Sequence, residues 1–311
     1  MASLRFKCNK RNRQCMCPGC SENAINSHLL QRNGVLNHVA EDGHVYELSK
    51  SNYYNNSTNG ISFRRIGINN AHSYHLFCFN HDTTLFKPIE GTSLDYNNYN
   101  HQLLFTYRTI CTDIRKKEID LNYYDDLIQK YFYDKEKRAR ILIGKCGCLD
   151  NIRDYTFYKK EVERELLYSI GSFVFEHYTY PKIGLYASSA FSYIEYNDYE
   201  KKVMDSNPWE CCFLNIIPTQ YNTEIIIGYH RDYTNSNLID LSKKLYDSNQ
   251  TQLGLELTNL LLHVDDWGLS PSLFKRIPQE RKDRFLIIFT QYLMNYDSSL
   301  WVDFDLFEGV L

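Results

Sequence analysis

Two short stretches set the tightest limit on how this chain can fold. They are Cys15-Met16-Cys17-Pro18-Gly19-Cys20, running on to Ser27-His28, and Phe77-Cys78-Phe79-Asn80-His81-Asp82. Each holds two soft ligands at a close spacing, and two such knuckles are how a chain holds one tetrahedral zinc ion. A Pro-Gly turn separates Cys17 from Cys20, where glycine relieves the backbone so that both sulfurs can face one ion. Cys78 and His81 complete a Cys3His set, so Cys17, Cys20, Cys78 and His81 are the expected ligands of a structural Zn2+. The alternative is a group of reduced cysteines buried as small apolar residues. Clustering favours the metal, because four of the ten cysteines lie between positions 8 and 20. Cys8 and Cys15 remain spare, and either could take the place of Cys17 or serve a second ion.

At 311 residues the chain exceeds the roughly 100 to 200 residues of a usual domain. The expected division is a zinc-binding module over 1–90 and a mixed helical and antiparallel-sheet domain over 91–311. No apolar leader opens the chain and no run of about eighteen apolar residues occurs, which reads as a cytoplasmic protein that does not span a membrane. In that compartment ten cysteines signify thiols and metal sites rather than disulfides. The net charge of −3 is unevenly divided: ten Lys/Arg against six Asp/Glu in 1–90, and twenty-five against thirty-two beyond. The basic end is the cysteine-rich end. Arg5, Lys7, Lys10, Arg11 and Arg13 form an arm free of acid before Glu22, suited either to a phosphate backbone or to a solvated, frayed terminus. Arg64 and Arg65 extend the candidate nucleic-acid surface of Lys10, Arg11 and Arg13.

The order of elements follows from periodicity. Residues 1–14 read as weakly ordered. A strand is expected into His28, then a short helix, a turn at Glu41-Asp42-Gly43, and a strand over His44 to Leu48. A polar loop over 51–60 separates it from an extended run, Ile61 to Ile68, a turn at Asn69-Asn70, and a helix over about 82–89. Helical spacing predicts helices over 103–119, 122–140 and 161–176, with Cys146-Gly147-Cys148 in a loop between the second and third, where a metal or redox site is the alternative. Strands are expected over 184–196, 209–217 and 223–230, the last two as a hairpin, with Cys211 and Cys212 facing opposite sides of the sheet. Helices then follow over 237–246, 251–262 and 279–294. His263-Val264-Asp265-Asp266-Trp267 suggests a site by residue type, a helix-end cap being the alternative.

No Gly-x4-Gly-Lys-Ser/Thr loop, Gly-x-Gly-x-x-Gly turn or Gly-x-Ser-x-Gly elbow is present, so nucleotide hydrolysis and serine-hydrolase chemistry have no support. The order Cys17-x2-Cys20, strand ending in His28, Cys78-x2-His81 and then Asp82 resembles the HNH or treble-clef ββα-metal nucleases. The resemblance covers about positions 15–90. It implies a hairpin and helix braced by zinc knuckles, with His28 as general base and Asp82 as ligand of a catalytic Mg2+ or Mn2+. A positioned imidazole deprotonates water near neutral pH, while a carboxylate-held cation offsets charge on the scissile phosphate. Two positions depart from the family: Ser27 stands where an acid or second histidine usually precedes the base, and His72, Ser73 and Tyr74 stand near the place of the middle Asn. Without catalysis, His28 would be a packing or capping histidine and Asp82 a carboxylate meeting the helix dipole. His44, His72 and His75 read as structural. The pattern of Ser27-His28, Gly43-His44-Val45-Tyr46 and His81-Asp82-x3-Phe86 is also similar to uncharacterised bacterial proteins loosely associated with phage-defence loci.

The expected fold class is α+β: an N-terminal treble-clef-like zinc module and a larger C-terminal domain of helices around an antiparallel sheet. The expected function is metal-dependent cleavage of nucleic acid, with anti-phage defence as the setting the resemblance implies. The rival is a non-catalytic zinc-containing sensor or adaptor that binds nucleic acid or a partner protein of a defence system. A purely structural zinc is the third reading.

Overall fold

A computed structural model describes residues 7–9, 11–49, 60–91, 94–192, 207–246, 250–295 and 301–311. Its sheet grows from apolar runs that are covered on both faces and therefore lose the inside-outside alternation of a half-exposed strand. Strands β6 (Leu185–Phe191) and β7 (Cys212–Pro218) are buried at every position, and β8 (Asn222–His230) at every position but its first. With β2 (His44–Ser49), β3 (Ser62–Gly67), β5 (Phe173–Pro181) and β9 (Trp267–Leu269) they form one antiparallel sheet in the order β3-β2-β9-β6-β7-β8-β5. Residues from both ends of the chain share it, since Tyr46 pairs with Leu269 and Ala187 with Trp267. The hairpin expected between β7 and β8 is present, closed by the Thr219 N–H donating to the Asn222 carbonyl at 2.8 Å. Among the described residues no helix is long and apolar enough to cross a membrane.

Cys211 and Cys212 face opposite cores, as alternation requires. One core joins Phe213, Ile217 and Ile226 of the sheet to Tyr107 and Ile110 of α3 (Tyr99–Lys130) and to Tyr158 and Val162 of α4 (Lys135–Tyr168). The other joins Leu214, Ile216 and Ile225 to α5 (Ser236–Lys244), α6 (Gln250–His263), α7 (Pro271–Arg276) and α8 (Gln279–Asn295). The result is a three-layer α+β arrangement, helices on both faces of an antiparallel sheet.

The helical layer departs from the sequence expectation in its bounds. The two helices expected over 103–119 and 122–140 are the single helix α3 followed by the start of α4, broken only at 131–134. The Cys146-Gly147-Cys148 stretch lies inside α4 rather than in a loop. α4 stops at Tyr168, not 176, because Ser169 and Gly171 take left-handed conformations with φ of 51° and 83°, and β5 begins two residues later. The described part of the N-terminal arm is also ordered. Residues 7–9 form a helical turn, and Cys8 is fully buried among Ile119, Tyr123, Leu127 and Ile141.

The cysteine-rich stretch rests on the α3–α4 face. Strand β1 (Asn26–His28) pairs antiparallel with β4 (Ser73–His75), and β4 leads into α1 (Phe79–Leu85) and α2 (Lys87–Glu90). The chain between β1 and β4 carries β2 and β3 out to the large sheet. The turn at 41–43 is a tight hairpin, with Glu41 and His44 bridged and left-handed φ at Asp42 and Gly43. The loop expected over 51–60 lies outside the described residues except for Gly60.

Candidate metal centre

The first knuckle is built by backbone pairing. Gln14 bridges Asn23, the Cys15 N–H donates to the Glu22 carbonyl at 2.9 Å, and the Met16 N–H donates to the Leu76 carbonyl at 2.9 Å. The last bond ties the first knuckle to the segment just before the second. The Pro-Gly turn forms as expected, with the Cys20 N–H donating to the Cys17 carbonyl at 3.2 Å and Gly19 at φ 72°. That geometry is a type II turn, in which only glycine takes the third position without strain.

The turn does not bring Cys17 to the site. Cys15, Cys20, Cys78 and His81 place their ligand atoms within 4.8 Å of one another. Cys15 Sγ lies 3.4 Å from His81 Nδ1, Cys78 Sγ lies 3.1 Å from the same nitrogen, and Cys20 Sγ lies 3.9 Å from Cys78 Sγ. Sulfurs bound tetrahedrally at about 2.3 Å stand about 3.8 Å apart, so this donor set and spacing could hold a metal ion and are consistent with zinc. Cys15 thus stands where Cys17 was expected. Cys17 turns into the core, where burial first, and then the charge of Cys15, pushes its thiol up to about 12. Burial acts on Cys15 in the same sense, but the amides of Cys17 and Cys78 outweigh it and bring that thiol below its ordinary value.

His28 and Asp82 flank this group. His28, half-buried at the end of β1, has Nε2 3.0 Å from the Ile68 carbonyl. A carbonyl only accepts, so Nε2 carries the proton and Nδ1 is left as the basic nitrogen of the neutral ring. Burial lowers its pKa below the usual value; the Ile68 carbonyl opposes this, Arg32 adds to it, and the Asn69 backbone and then Asp82 oppose it less. Burial and Arg32 thus favour the neutral imidazole over the imidazolium. Asp82 sits in the first turn of α1, half-buried, and its Oδ1 has no hydrogen-bond partner among the described residues. Ser27, in contrast, is 1% exposed and its hydroxyl turns to the Ile25 carbonyl, away from His28.

The basic residues divide. Arg11 Nη1 donates to Asn122 Oδ1 at 2.8 Å and Nη2 lies 3.6 Å from Asp126, while Arg13 reaches Asn122 and the Cys8 carbonyl. Both are held against α3. Arg64 and Arg65 are exposed on the edge strand β3. Lys10 lies outside the described residues. Arg32, which the sequence reading did not single out, is the cation closest in effect to His28, and donates to Asn69 Oδ1 at 3.1 Å.

A second polar group lies behind the hairpin. His72 points inward: Nε2 is 3.3 Å from Glu47 and 3.2 Å from the Trp267 carbonyl, and Nδ1 is 3.2 Å from Asp266. Burial alone would lower its pKa, but Glu47 and Asp266 raise it to about 9. Lys116 meets Asp113 at 3.0 Å, Asp265 at 2.8 Å and also Asp266. The Asp265-Asp266 pair that stood out by residue type is therefore one end of a buried ionic network. Lys116 carries no signal of its own in the sequence, because it falls within the charged run Arg115-Lys116-Lys117-Glu118.

Comparison of the chain with family models, with curated proteins and with solved structures returns no match.

Proposed function

We propose that residues 15–90 form a treble-clef, HNH-like nuclease centre braced by zinc on Cys15, Cys20, Cys78 and His81. The observation that carries this reading is the pairing of a neutral imidazole, its tautomer fixed by Ile68, with a carboxylate whose Oδ1 lacks a partner, on the strand and helix that adjoin the ligand group. The order knuckle, hairpin, helix agrees with the family resemblance, and the unsatisfied Asp82 oxygen suits a hard divalent ion such as Mg2+ or Mn2+. Such an ion would offset charge on the scissile phosphate. His28 Nδ1 takes a proton from the attacking water as its oxygen bonds to phosphorus; the P–O bond to the leaving oxygen breaks, and that oxygen takes a proton from solvent. Arg32, with Arg64 and Arg65, draws the phosphate backbone to this side. A role in anti-phage defence rests on the resemblance alone.

The test is cleavage of plasmid DNA and of single-stranded RNA with Mg2+ or Mn2+. His28→Ala and Asp82→Asn should lose cleavage while zinc content and melting temperature stay near wild type. Loss of zinc or fold in step with activity, or cleavage retained in both variants, would sink the reading.

The rival, a non-catalytic sensor or adaptor that binds nucleic acid or a partner protein, draws on one specific observation. Ser27 is turned inward, so the position before the base supplies no second ligand for a catalytic ion. Binding of nucleic acid by wild type and His28→Ala alike, with cleavage by neither, would establish it.

A further inference from the structure

A cleft of about 440 Å³ opens between three segments: 37–41, which precedes β2; 182–184, between β5 and β6; and 270–276, which carries α7. This volume falls in the range of small-molecule sites. Its polar lining is dominated by donors. Lys182 and Arg276 are exposed at its wall, and among the described residues neither side chain has an ion-pair or hydrogen-bond partner. His38 lies close enough to Lys182 to feel its charge. Ser270 and Ser272 add hydroxyls, 3.2 Å apart. The one carboxylate on the wall, Glu41, is already committed, accepting from the Ser272 N–H at 2.9 Å.

Two cations without partners among the described residues line this cleft, in a part of the chain where acids outnumber bases, twenty-five Lys/Arg against thirty-two Asp/Glu over 91–311. Unpaired cations facing one space raise the local potential and favour an anion with several acceptor oxygens. The space exceeds what a bare phosphate fills. We infer that this cleft binds a small organic phosphate of nucleoside-monophosphate size, its phosphate between Lys182 and Arg276 and its remaining acceptors on Ser270 and Ser272. The inference does not depend on the nuclease reading, since none of these residues touches the metal group.

The three walls come from distant parts of the sequence, so a bound ligand ties them together and stabilises the folded chain by mass action. The experiment is a thermal-shift and calorimetric titration of the full chain with the four 5′-nucleoside monophosphates, with inorganic phosphate, and with adenosine at matched ionic strength. At least one monophosphate should bind saturably and raise the melting temperature, inorganic phosphate should compete more weakly, and adenosine should not bind. Lys182→Gln and Arg276→Gln should each weaken binding at least about tenfold. Their unliganded melting temperatures should not move, because both side chains are exposed and unpaired; Lys182→Arg should keep binding. Absence of saturable binding by all four monophosphates, equal binding by the Gln variants, or binding of inorganic phosphate as tight as the nucleotides would overturn the assignment.

Discussion

At the level of single residues, the candidate metal centre turns on the choice between Cys15 and Cys17. Cys15→Ser should abolish metal binding and destabilise the fold by a large part of the roughly 10 kcal/mol that a structural zinc site contributes. Cys17→Ser should keep one metal per chain, read by elemental analysis, and cost only the packing of a small buried side chain. The sequence made Cys20, Cys78 and His81 legible, as well as the Pro-Gly turn between the first pair, because turn chemistry is local. It did not reveal which cysteine the turn presents, since Cys17 is directed by its fit against α3 and α4, which spacing does not encode. His72 makes the same point, as its partners Glu47 and Asp266 come from other strands. Its pKa rises from 6.5 to about 9 on folding, so the stability it supplies is complete below pH 6.5 and is lost as pH climbs through about 9. His72→Gln should cost about 3–5 kcal/mol near pH 6. The gap to wild type should narrow by roughly 3 kcal/mol above pH 9, measured by denaturant melts at both pH values. A pH-independent gap would show that His72 folds uncharged.

At the level of elements, the errors of the sequence reading have a common cause. The Gly144-Lys145-Cys146-Gly147-Cys148 run has poor helix propensity and reads as a break, yet α4 passes through it because packing on α3 outweighs local preference. At Gly144 the small residue is needed, for a Cβ there would stand 2.9 Å from the Tyr124 hydroxyl oxygen. β5 is not legible because its aromatic run adjoins a helix of similar composition, whereas β7 and β8 are legible from their apolar runs and the hairpin between them. The β5–β8 seam has its own test. Phe175 lies opposite Gly228 in register, and a Cβ at Gly228 would meet the Phe175 ring at 2.4 Å. Gly228→Ala should therefore destabilise the protein by about 1–3 kcal/mol through overpacking. Adding Phe175→Ala should recover part of that loss, so the double variant is less destabilised than the sum of the singles. Additive single effects in thermal or denaturant melts would mean that the ring moves aside without strain.

At the scale of the whole molecule, the first ninety residues and the rest are joined by pairing that the sequence could not announce. β2 lies against β9 through Tyr46–Leu269 and Glu47–Gly268, and the Tyr186 hydroxyl donates to Glu47 at 2.7 Å. Antiparallel contacts between positions this far apart leave no periodic trace, so composition and charge suggested a division at residue 90 while the strands on either side complete one sheet. Removing 1–90 would bare the edge of β9, whose three residues are all buried. It would also take Glu47 and His72 from the ionic network, leaving Asp266, 3% exposed, with Lys116 shared among three carboxylates. Breaking a buried ion pair from one side typically costs about 3–5 kcal/mol, comparable with the whole stability of many domains. Loss of Leu76, Phe77 and Phe86, all fully buried on the α3 side, removes further core. A 91–311 fragment should therefore be insoluble or lack a cooperative thermal transition, whereas co-expressed 1–90 should restore both solubility and the transition. A 91–311 fragment that melts cooperatively by itself, at a temperature near that of the full chain, would show that the β2–β9 pairing contributes little and that the sheet is complete without residues 1–90.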